Sequence, residues 1–144
     1  MHTLEDSLGF QVNMTANAMK NRFNAFLKPY GLTSEQYVIM KSVDENPDIT
    51  PTELSEITFK DKTTIARMIN TLVKSEMLVR IPKLTDRRAY KIQWSPKGEK
   101  TMKNILPITE SLLKKIRTQF DSEELETFLK VLQQLKQTPC LETL

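Results

Sequence analysis

The chain has 144 residues, of which 39% are hydrophobic and 27% are charged, and this is typical of a globular protein with its own core. Its single histidine, His2, and its single cysteine, Cys140, cannot build a His/Cys metal cluster or an internal disulfide. No apolar run approaches the roughly 20 residues that span a bilayer, and no catalytic or phosphate-binding motif occurs. We therefore expect a cytoplasmic protein that is not an enzyme and that uses no metal, cofactor or membrane.

The basic residues are concentrated in one segment. The net charge of the chain is +3, but residues 60–100 contain eleven Lys and Arg against four Asp and Glu, a balance of 11 − 4 = +7. The rest of the chain contains ten against fourteen, or 10 − 14 = −4. A basic segment in acidic surroundings is typical of a face that binds a polyanion, and the alternative is a solvated surface cluster.

Helical periodicity and capping motifs predict three helices in the first part of the chain. Apolar residues at helical spacing predict the first helix over residues 4–28, and Pro29-Tyr30-Gly31 ends it. Residues 33–36 form a capping box that opens the second helix, which stops before Asn46-Pro47. Residues 50–53 form another capping box, with proline at the first helical position, and open a short third helix.

A fourth helix is predicted over residues 62–75, with Asp61 as its cap. One of its faces is apolar and carries Ile65, Ala66, Ile69, Leu72 and Val73. Apolar and polar residues then alternate, which predicts two half-buried strands. The apolar positions are Val79 and Ile81 in the first strand and Tyr90, Ile92 and Trp94 in the second. Residues 83–89 lie between them, so we expect a β-hairpin with a long basic tip.

Two further helices complete the chain. Ser95-Pro96 opens the fifth, which Pro107 should kink, and residues 121–124 cap the sixth, which Pro139 ends. The order of elements predicts a mainly α, α+β fold with a winged helix-turn-helix. We expect this domain to span residues 33–95, between helical ends at 1–32 and 96–144.

The fourth helix has the composition of a helix that reads DNA. The face opposite its apolar side has no acidic residue and carries Thr63, Thr64, Arg67, Asn70, Thr71 and Lys74. Arginine can bond guanine O6 and N7 together, and asparagine can bond adenine N6 and N7. Because the first residues of such a helix usually reach the bases, Thr63, Thr64 and Arg67 rank above Asn70, while Lys74 suits a phosphate. The alternative is a polar face that is merely solvated.

The hairpin tip adds the predicted DNA contacts Lys83, Arg87 and Arg88. A thin arm that ends in arginine can enter the minor groove, where negative potential attracts the guanidinium. Arg88 could instead pair with Asp86 and stiffen the tip. We expect one arginine to be inserted and the other to be structural, with Asp86 stabilising the wing.

The sequence resembles the MarR-type (multiple antibiotic resistance regulator) family of winged-helix repressors over nearly its whole length. The most specific match is the wing signature D-x-R, five residues, then L-T. In this chain the D-x-R part is Asp86-Arg87-Arg88, and the five residues are Ala89 to Gln93. Trp94 then replaces Leu and Ser95 replaces Thr, and the family's Lys-Gly pair follows as Lys97-Gly98. Gly31-Leu32-Thr33 with Gln36, and residues 52–56, match the family's second and third helices. The family often has glycine in the turn before the recognition helix and again after it, and Phe59 and Met77 stand near those places in this chain, which puts the local turn geometry, but not the fold, in doubt.

The resemblance implies a homodimer in which the first and last helices of each subunit interleave, so that 1–32 and 96–144 are dimerisation segments. It also implies binding to pseudo-palindromic double-stranded DNA, mostly as a repressor, with release by a small-molecule effector in many members. The competing hypothesis is a winged-helix protein-interaction module without sequence-specific DNA binding. An enzyme is the third, and no constellation of residues favours it.

Overall fold

The computed structural model describes residues 2–138, with residue 87 described through its backbone alone. The elements in chain order are α1 (Leu8–Leu27), α2 (Ser34–Glu45), α3 (Pro51–Thr58), α4 (Lys62–Lys74), β1 (Leu78–Lys83), β2 (Asp86–Trp94), α5 (Pro96–Arg117) and α6 (Ser122–Gln137). Short 3-10 turns at Leu4–Asp6 and Lys28–Tyr30 flank α1. This order confirms the predicted mainly helical fold with a two-stranded antiparallel sheet as its wing.

The chain divides into two compact units, Met1–Lys103 and Asn104–Leu144. The boundary falls inside α5, directly after Lys103. In an ordinary helix the Lys103 carbonyl would accept a hydrogen bond from the backbone N–H of residue 107, but Pro107 has no N–H to donate. The helix continues through this proline, and the predicted kink stays a prediction. The division of the chain into 1–32, 33–95 and 96–144 also stays a prediction.

The core of the first unit is built from the facing sides of α2, α3, α4 and the hairpin. Its fully buried side chains include Ile39, Met40, Ile49, Leu54, Ile65, Ile69, Leu72, Leu78 and Ile92. Burying one such side chain stabilises the fold by about 1.5–3 kcal/mol. Of the predicted apolar face of α4, Ala66 is exposed, since it lies at the edge of the helix stripe next to the wing.

The hairpin is attached to the body by backbone as well as by side chains. In β1 and β2, Leu78 lies opposite Trp94 and Lys83 lies opposite Asp86. The Ile92 N–H donates to the Ile49 carbonyl at 2.9 Å, so the outer edge of β2 is also paired. The Trp94 indole N–H donates to the Met40 carbonyl of α2 at 2.9 Å. These bonds fix where the wing leaves the core.

Two expectations about the hairpin were wrong. The tip is short, because β2 begins at Asp86 and only Leu84-Thr85 connects the strands. Leu78 and Arg80, and not Val79 and Ile81, lie on the face of the hairpin that carries Ile92 and Trp94, although Ile81 is half-buried and Arg80 is exposed. Leu78 is buried, whereas Val79 is 38% exposed. Leu78 and Val79 are both apolar, so the alternation of apolar and polar residues cannot tell which of the two faces the core.

The helix starts follow the capping motifs in part. Thr33 and Gln36 form the predicted reciprocal box at α2. Thr50 accepts from the Glu53 N–H at α3, but no return bond from Glu53 is among the hydrogen bonds of the described residues. Asp121 is the N-cap residue of α6, as predicted, but its side chain makes no capping hydrogen bond. The expected end at Pro139 lies outside the described residues, as does Cys140.

Left-handed backbone occurs in both turns that flank α4. Phe59, between α3 and α4, has φ 55°, and Glu76, after α4, has φ 63°. Phe59 is one of the two residues that stand near the places where the family often has glycine. In the second turn the strained residue is Glu76, while its neighbour Met77 is buried in the core. Each of the two turns therefore contains a non-glycine residue with left-handed backbone, a conformation that costs free energy for L-residues.

Candidate nucleic-acid interface

The outer face of α4 is open to solvent, as the amphipathic pattern of the helix requires. Thr63, Arg67, Asn70, Thr71 and Lys74 are exposed, and Thr64 is half-buried. The opposite side of the helix is buried against the core. The helix therefore presents hydroxyl, guanidinium, amide and ammonium groups along one ridge, as the sequence predicted.

Asp61 caps the start of this ridge. Its carboxylate accepts from the Thr64 N–H at 2.7 Å. Hydrogen bonds from Thr64 lower the pKa of Asp61, so it stays ionised at neutral pH, and the positive charge of Arg67 contributes to the lowering. The first turn of α4 is thus held in place by a charged cap, which fixes where Thr63 and Thr64 point.

Two polar side chains of the ridge already have partners. The Thr71 hydroxyl donates to the Arg67 carbonyl of its own helix at 3.1 Å, which leaves its oxygen as an acceptor. Asn70 Oδ1 accepts from Arg80 Nη2 at 3.0 Å. Arg67 and Lys74 make no ion pair among the described residues. These two cations are therefore the groups best placed to meet phosphate or base acceptors.

Arg80 is a site residue that the sequence analysis missed. It lies on β1 on the same side of the hairpin as Tyr90, and its guanidinium carbon is 5.4 Å from the Tyr90 ring centroid. From there it reaches Asn70 on α4. The sequence analysis took Val79 and Ile81 as the apolar side of β1 and Arg80 as a polar position between them. The pairing of Arg80 with Ile92 in the sheet, which spacing along the chain does not give, is what reveals the contact.

Asp86 organises the start of the second wing strand through backbone rather than through a side-chain pair. Its carboxylate accepts from the Arg88 N–H at 2.9 Å. The Arg88 side chain is exposed, and Lys83 on the neighbouring strand is exposed as well. Leu84, at the apex of the turn, is fully exposed. The Asp86 bond gives the wing a fixed turn and leaves the Arg88 guanidinium available at the surface.

An open cleft of about 510 Å³ lies between α4 and the wing. Its lining includes the first turn of α3, with Pro51, and the exposed Ala66 of α4. Three cations, Lys62, Lys83 and Arg88, face it together with one carboxylate, Asp86. Lys62 was not among the predicted site residues, although it lies at the first position of the predicted helix. The cleft makes α4 and the wing one continuous basic surface, as the charge distribution of the sequence predicted.

The exit of α4 is clamped by the start of α5. The Lys97 ammonium donates to the Ser75 carbonyl at 3.0 Å, the Ser95 hydroxyl to the Glu76 carbonyl, and the Ser95 N–H to the Met77 carbonyl at 3.1 Å. Gly98 must be glycine here, because a Cβ would lie 2.0 Å from the Met77 oxygen. The lysine-glycine pair is thus explained by close backbone packing.

The outer edge of the wing is held by an ion pair. Lys91 Nζ of β2 lies 2.9 Å from Asp48 Oδ1, in the loop before α3. The hydrogen bond from Lys91 lowers the pKa of Asp48, and the Lys91 charge adds to it. Gln93 also donates to Asp48, at 3.4 Å. These contacts join the strand to the loop on the side away from α4.

Comparison with known proteins shows what the chain is similar to. Residues 32–90 match the family model described as MarR family. The HTH-type transcriptional regulator YsmB of Bacillus subtilis is 27% identical over 121 residues, covering 84% of this chain and 83% of YsmB.

Two solved structures show the same fold. An S. aureus MepR–DNA complex matches with a TM-score of 0.83 at 16% identity, covering 91% of this chain and 97% of MepR. A mutant of E. coli MarR in complex with operator DNA matches with a TM-score of 0.79 at 22% identity, covering 89% and 92%.

The fold and its basic ridge define a winged helix-turn-helix protein. Residues 32–90 match the MarR family model, and most of the chain is similar to a transcriptional regulator in sequence and to MepR and MarR in fold, which confirms the resemblance seen in its sequence. The matched relative is named as a transcriptional regulator and not as an enzyme. No described helix is long and apolar enough to cross a membrane. Among residues 2–138 no group of three or more His, Cys, Asp and Glu side chains could hold a metal ion.

Proposed function

We propose that the protein is a sequence-specific DNA-binding transcriptional regulator that acts as a homodimer on a pseudo-palindromic operator and represses transcription. The observation that carries the proposal is the continuous basic surface formed by the exposed ridge of α4 and the wing. Arg67 and Lys74 lie on the ridge, and Lys62, Lys83 and Arg88 face the cleft beside it. A helix with cations along its exposed ridge and in the cleft beside it suits a major groove bordered by phosphates.

The dimer is supported by apolar side chains that the described chain leaves uncovered in both units. In α1 of the first unit, Leu8 is 67% and Met19 is 55% exposed. In the second unit, Leu113, Phe120 and Phe128 are each more than half exposed. Monomeric soluble proteins rarely leave apolar surface of this extent to water. A second copy of the chain, which would bring a second α4, suits an operator with two half-sites about 34 Å apart.

The first experiment selects bound sequences from random duplexes and measures the dissociation constant of the best one at two salt concentrations. Affinity should fall steeply with salt, because each phosphate neutralised by Lys or Arg releases counterions. A protein-interaction module, the competing hypothesis, would enrich no sequence. Enrichment of no duplex would refute the proposed function.

Single substitutions then separate base contacts from phosphate contacts. Arg67→Ala should cost about 1–3 kcal/mol and relax the preference at one base position. Lys74→Ala should weaken all duplexes alike and lower the salt slope by about 1. Lys100→Ala is the matched control, since it removes an exposed cation of α5 outside the ridge and the cleft. If both ridge variants bind as the control does, the assigned face is wrong.

Release by a small-molecule effector is the finer part of the proposal. An effector can weaken operator binding only if it binds one separation of the two recognition helices better than the other. The coupling is reciprocal, so operator DNA must weaken effector binding by the same factor. Titration of aromatic carboxylic acids into the free protein and into the operator complex measures both affinities. Equal affinity in the two titrations for every acid would contradict an effector of this class.

A further inference from the structure

Asn70 and Arg80 join the recognition helix α4 to the wing by one hydrogen bond. Arg80 Nη2 donates to Asn70 Oδ1 at 3.0 Å, although the two residues belong to different elements. Both side chains are exposed on the surface that we propose meets DNA. Oδ1 of Asn70, the atom with which this side chain could accept a hydrogen bond from a base, is therefore already hydrogen-bonded to a residue of the wing.

This bond fixes the orientation of the Asn70 amide. The amide is planar, so turning Oδ1 toward Arg80 places the amino group Nδ2 on the opposite side. No hydrogen bond within the described part of the chain uses Nδ2. Bidentate reading of adenine needs Oδ1 to accept from N6 while Nδ2 donates to N7. The bond from Arg80 uses one of the two lone pairs of Oδ1 and turns the amide so that Nδ2, and not Oδ1, is presented on the side away from Arg80.

Arg80 is itself held in place. Its guanidinium lies 5.4 Å from the Tyr90 ring centroid, on the inner side of the hairpin. Stacking on an aromatic face and a fixed planar fork of donors leave the guanidinium few alternative positions. Arginine remains charged at all ordinary pH values, so it attracts the amide oxygen at all of them. The orientation of Asn70 is thus set before any duplex arrives.

We propose that Arg80 determines part of the base preference of this regulator by presenting Asn70 chiefly as a donor. Asn70 then favours guanine, which has the two acceptors O6 and N7, or thymine O4, over adenine, which has N7 as its one acceptor and whose N6 donor no longer meets Oδ1. Arg80 acts through Asn70 and is a positioning residue. The proposal rests on the proposed function, because it concerns the DNA-reading face.

The test uses the full-length protein and the operator obtained by selection. Asn70→Ala first identifies the base pair that Asn70 reads, as the position where the preference of the parent disappears. All four base pairs are then placed at that position and the affinities of the parent and of Arg80→Ala are compared. Arg80→Ala should gain affinity for adenine relative to guanine and thymine by about tenfold, the scale of a bidentate contact.

A second variant tests the same idea from the side of the helix. Asn70→Asp keeps an oxygen for Arg80 but replaces the donor by a second acceptor, so it should lose the guanine or thymine preference in favour of the bases that offer a donor, cytosine at N4 and adenine at N6. Lys100→Ala is the control for the loss of one positive charge and should leave the base preference unchanged. Because Arg80 is exposed, its replacement by alanine should leave the protein folded, which thermal unfolding checks.

Three outcomes would overturn the proposal. The parent could already prefer adenine at the position that Asn70 reads, or Asn70→Ala could alter no base position. Arg80→Ala could also bind all four duplexes more weakly by one common factor, as a purely structural role would require. In each case selective binding by the parent survives, so the proposed function stands. A parent that selects no duplex at all refutes both.

Discussion

At Phe59 the turn between α3 and α4 departs from the backbone geometry that most residues prefer. Its φ of 55° lies in the left-handed region, where a side chain costs about 1–2 kcal/mol relative to ordinary helical backbone. The aromatic ring is 71% exposed, so burial recovers little of this cost. The helix-turn-helix therefore carries local strain at the residue that sets the angle between its two helices.

Comparison of Phe59→Gly with Phe59→Ala measures that strain. Both variants lose the ring, but only glycine adopts a positive φ without steric cost. We expect the glycine variant to be more stable than the alanine variant by about 1 kcal/mol, as determined by chemical denaturation. This is the reverse of their order in a helix interior. Equal stabilities would show that the turn relaxes instead of holding the residue in place.

The same residues show what the sequence can foresee at this scale. The absence of glycine in the turns on both sides of α4 was visible, and Phe59 was identified. The strained residue of the second turn is Glu76 and not Met77, because the chain turns one residue earlier and buries Met77. Without a glycine to mark it, the left-handed residue cannot be located from composition alone.

Among the elements, α4 could be predicted to within one residue, at 62–75 against Lys62–Lys74. It is long and strongly amphipathic, and Asp61 marks its start. The strand β1 has six residues with apolar side chains on both faces, so its register could not be predicted. The bond from Arg80 to Asn70 joins two elements, and spacing along the chain carries no information about it. For that reason the sequence predicted the exposed ridge of α4 but not the hydrogen bond that joins it to the wing.

The ion pair between Asp48 and Lys91 predicts how attachment of the wing depends on pH. The folded-state pKa of Asp48 is lowered, chiefly by the hydrogen bond from Lys91. A carboxyl with a lowered pKa contributes stability above its unfolded pKa, about 3.9, and loses that contribution as pH falls through its folded value. Asp48→Asn should therefore lower the free energy of unfolding at pH 7, and the difference from the parent should shrink toward zero in strong acid.

Glu56→Gln serves as the control for this measurement. It removes an exposed carboxylate that makes no ion pair among the described residues. Its unfolding free energy should follow that of the parent at both pH values. A difference between Asp48→Asn and the parent that is as large in strong acid as at pH 7 would contradict an electrostatic role for Asp48.

In the whole molecule, apolar side chains stay exposed on helices at both ends of the chain. The second unit is the clearer case, since α6 leaves Phe128, Leu129, Val131 and Leu135 more than one-third exposed. Helices with an uncovered apolar stripe usually bury it against another element. The proposed dimer supplies that element, and its stability should depend on these positions.

Phe128→Glu should convert the dimer to monomers at concentrations where the parent is dimeric. A charge placed in the apolar contact should raise the dissociation constant by at least about tenfold, since a buried unpaired carboxylate costs more than 1.4 kcal/mol. Gln133→Glu adds the same charge at an exposed polar position of α6 and should remain dimeric. Sedimentation equilibrium distinguishes the two, and a monomeric parent would exclude the dimer.

The clamp at the exit of α4 has a consequence for motion. Three successive carbonyls, of Ser75, Glu76 and Met77, accept from Lys97 in the first turn of α5 and from Ser95 just before it, and Gly98 leaves no gap between the two backbones. The C-terminal end of the recognition helix therefore cannot pivot by itself. A tilt imposed on the start of α5 becomes a tilt of α4, so a ligand that tilts α5 would change the proposed contacts of α4 with DNA without touching α4.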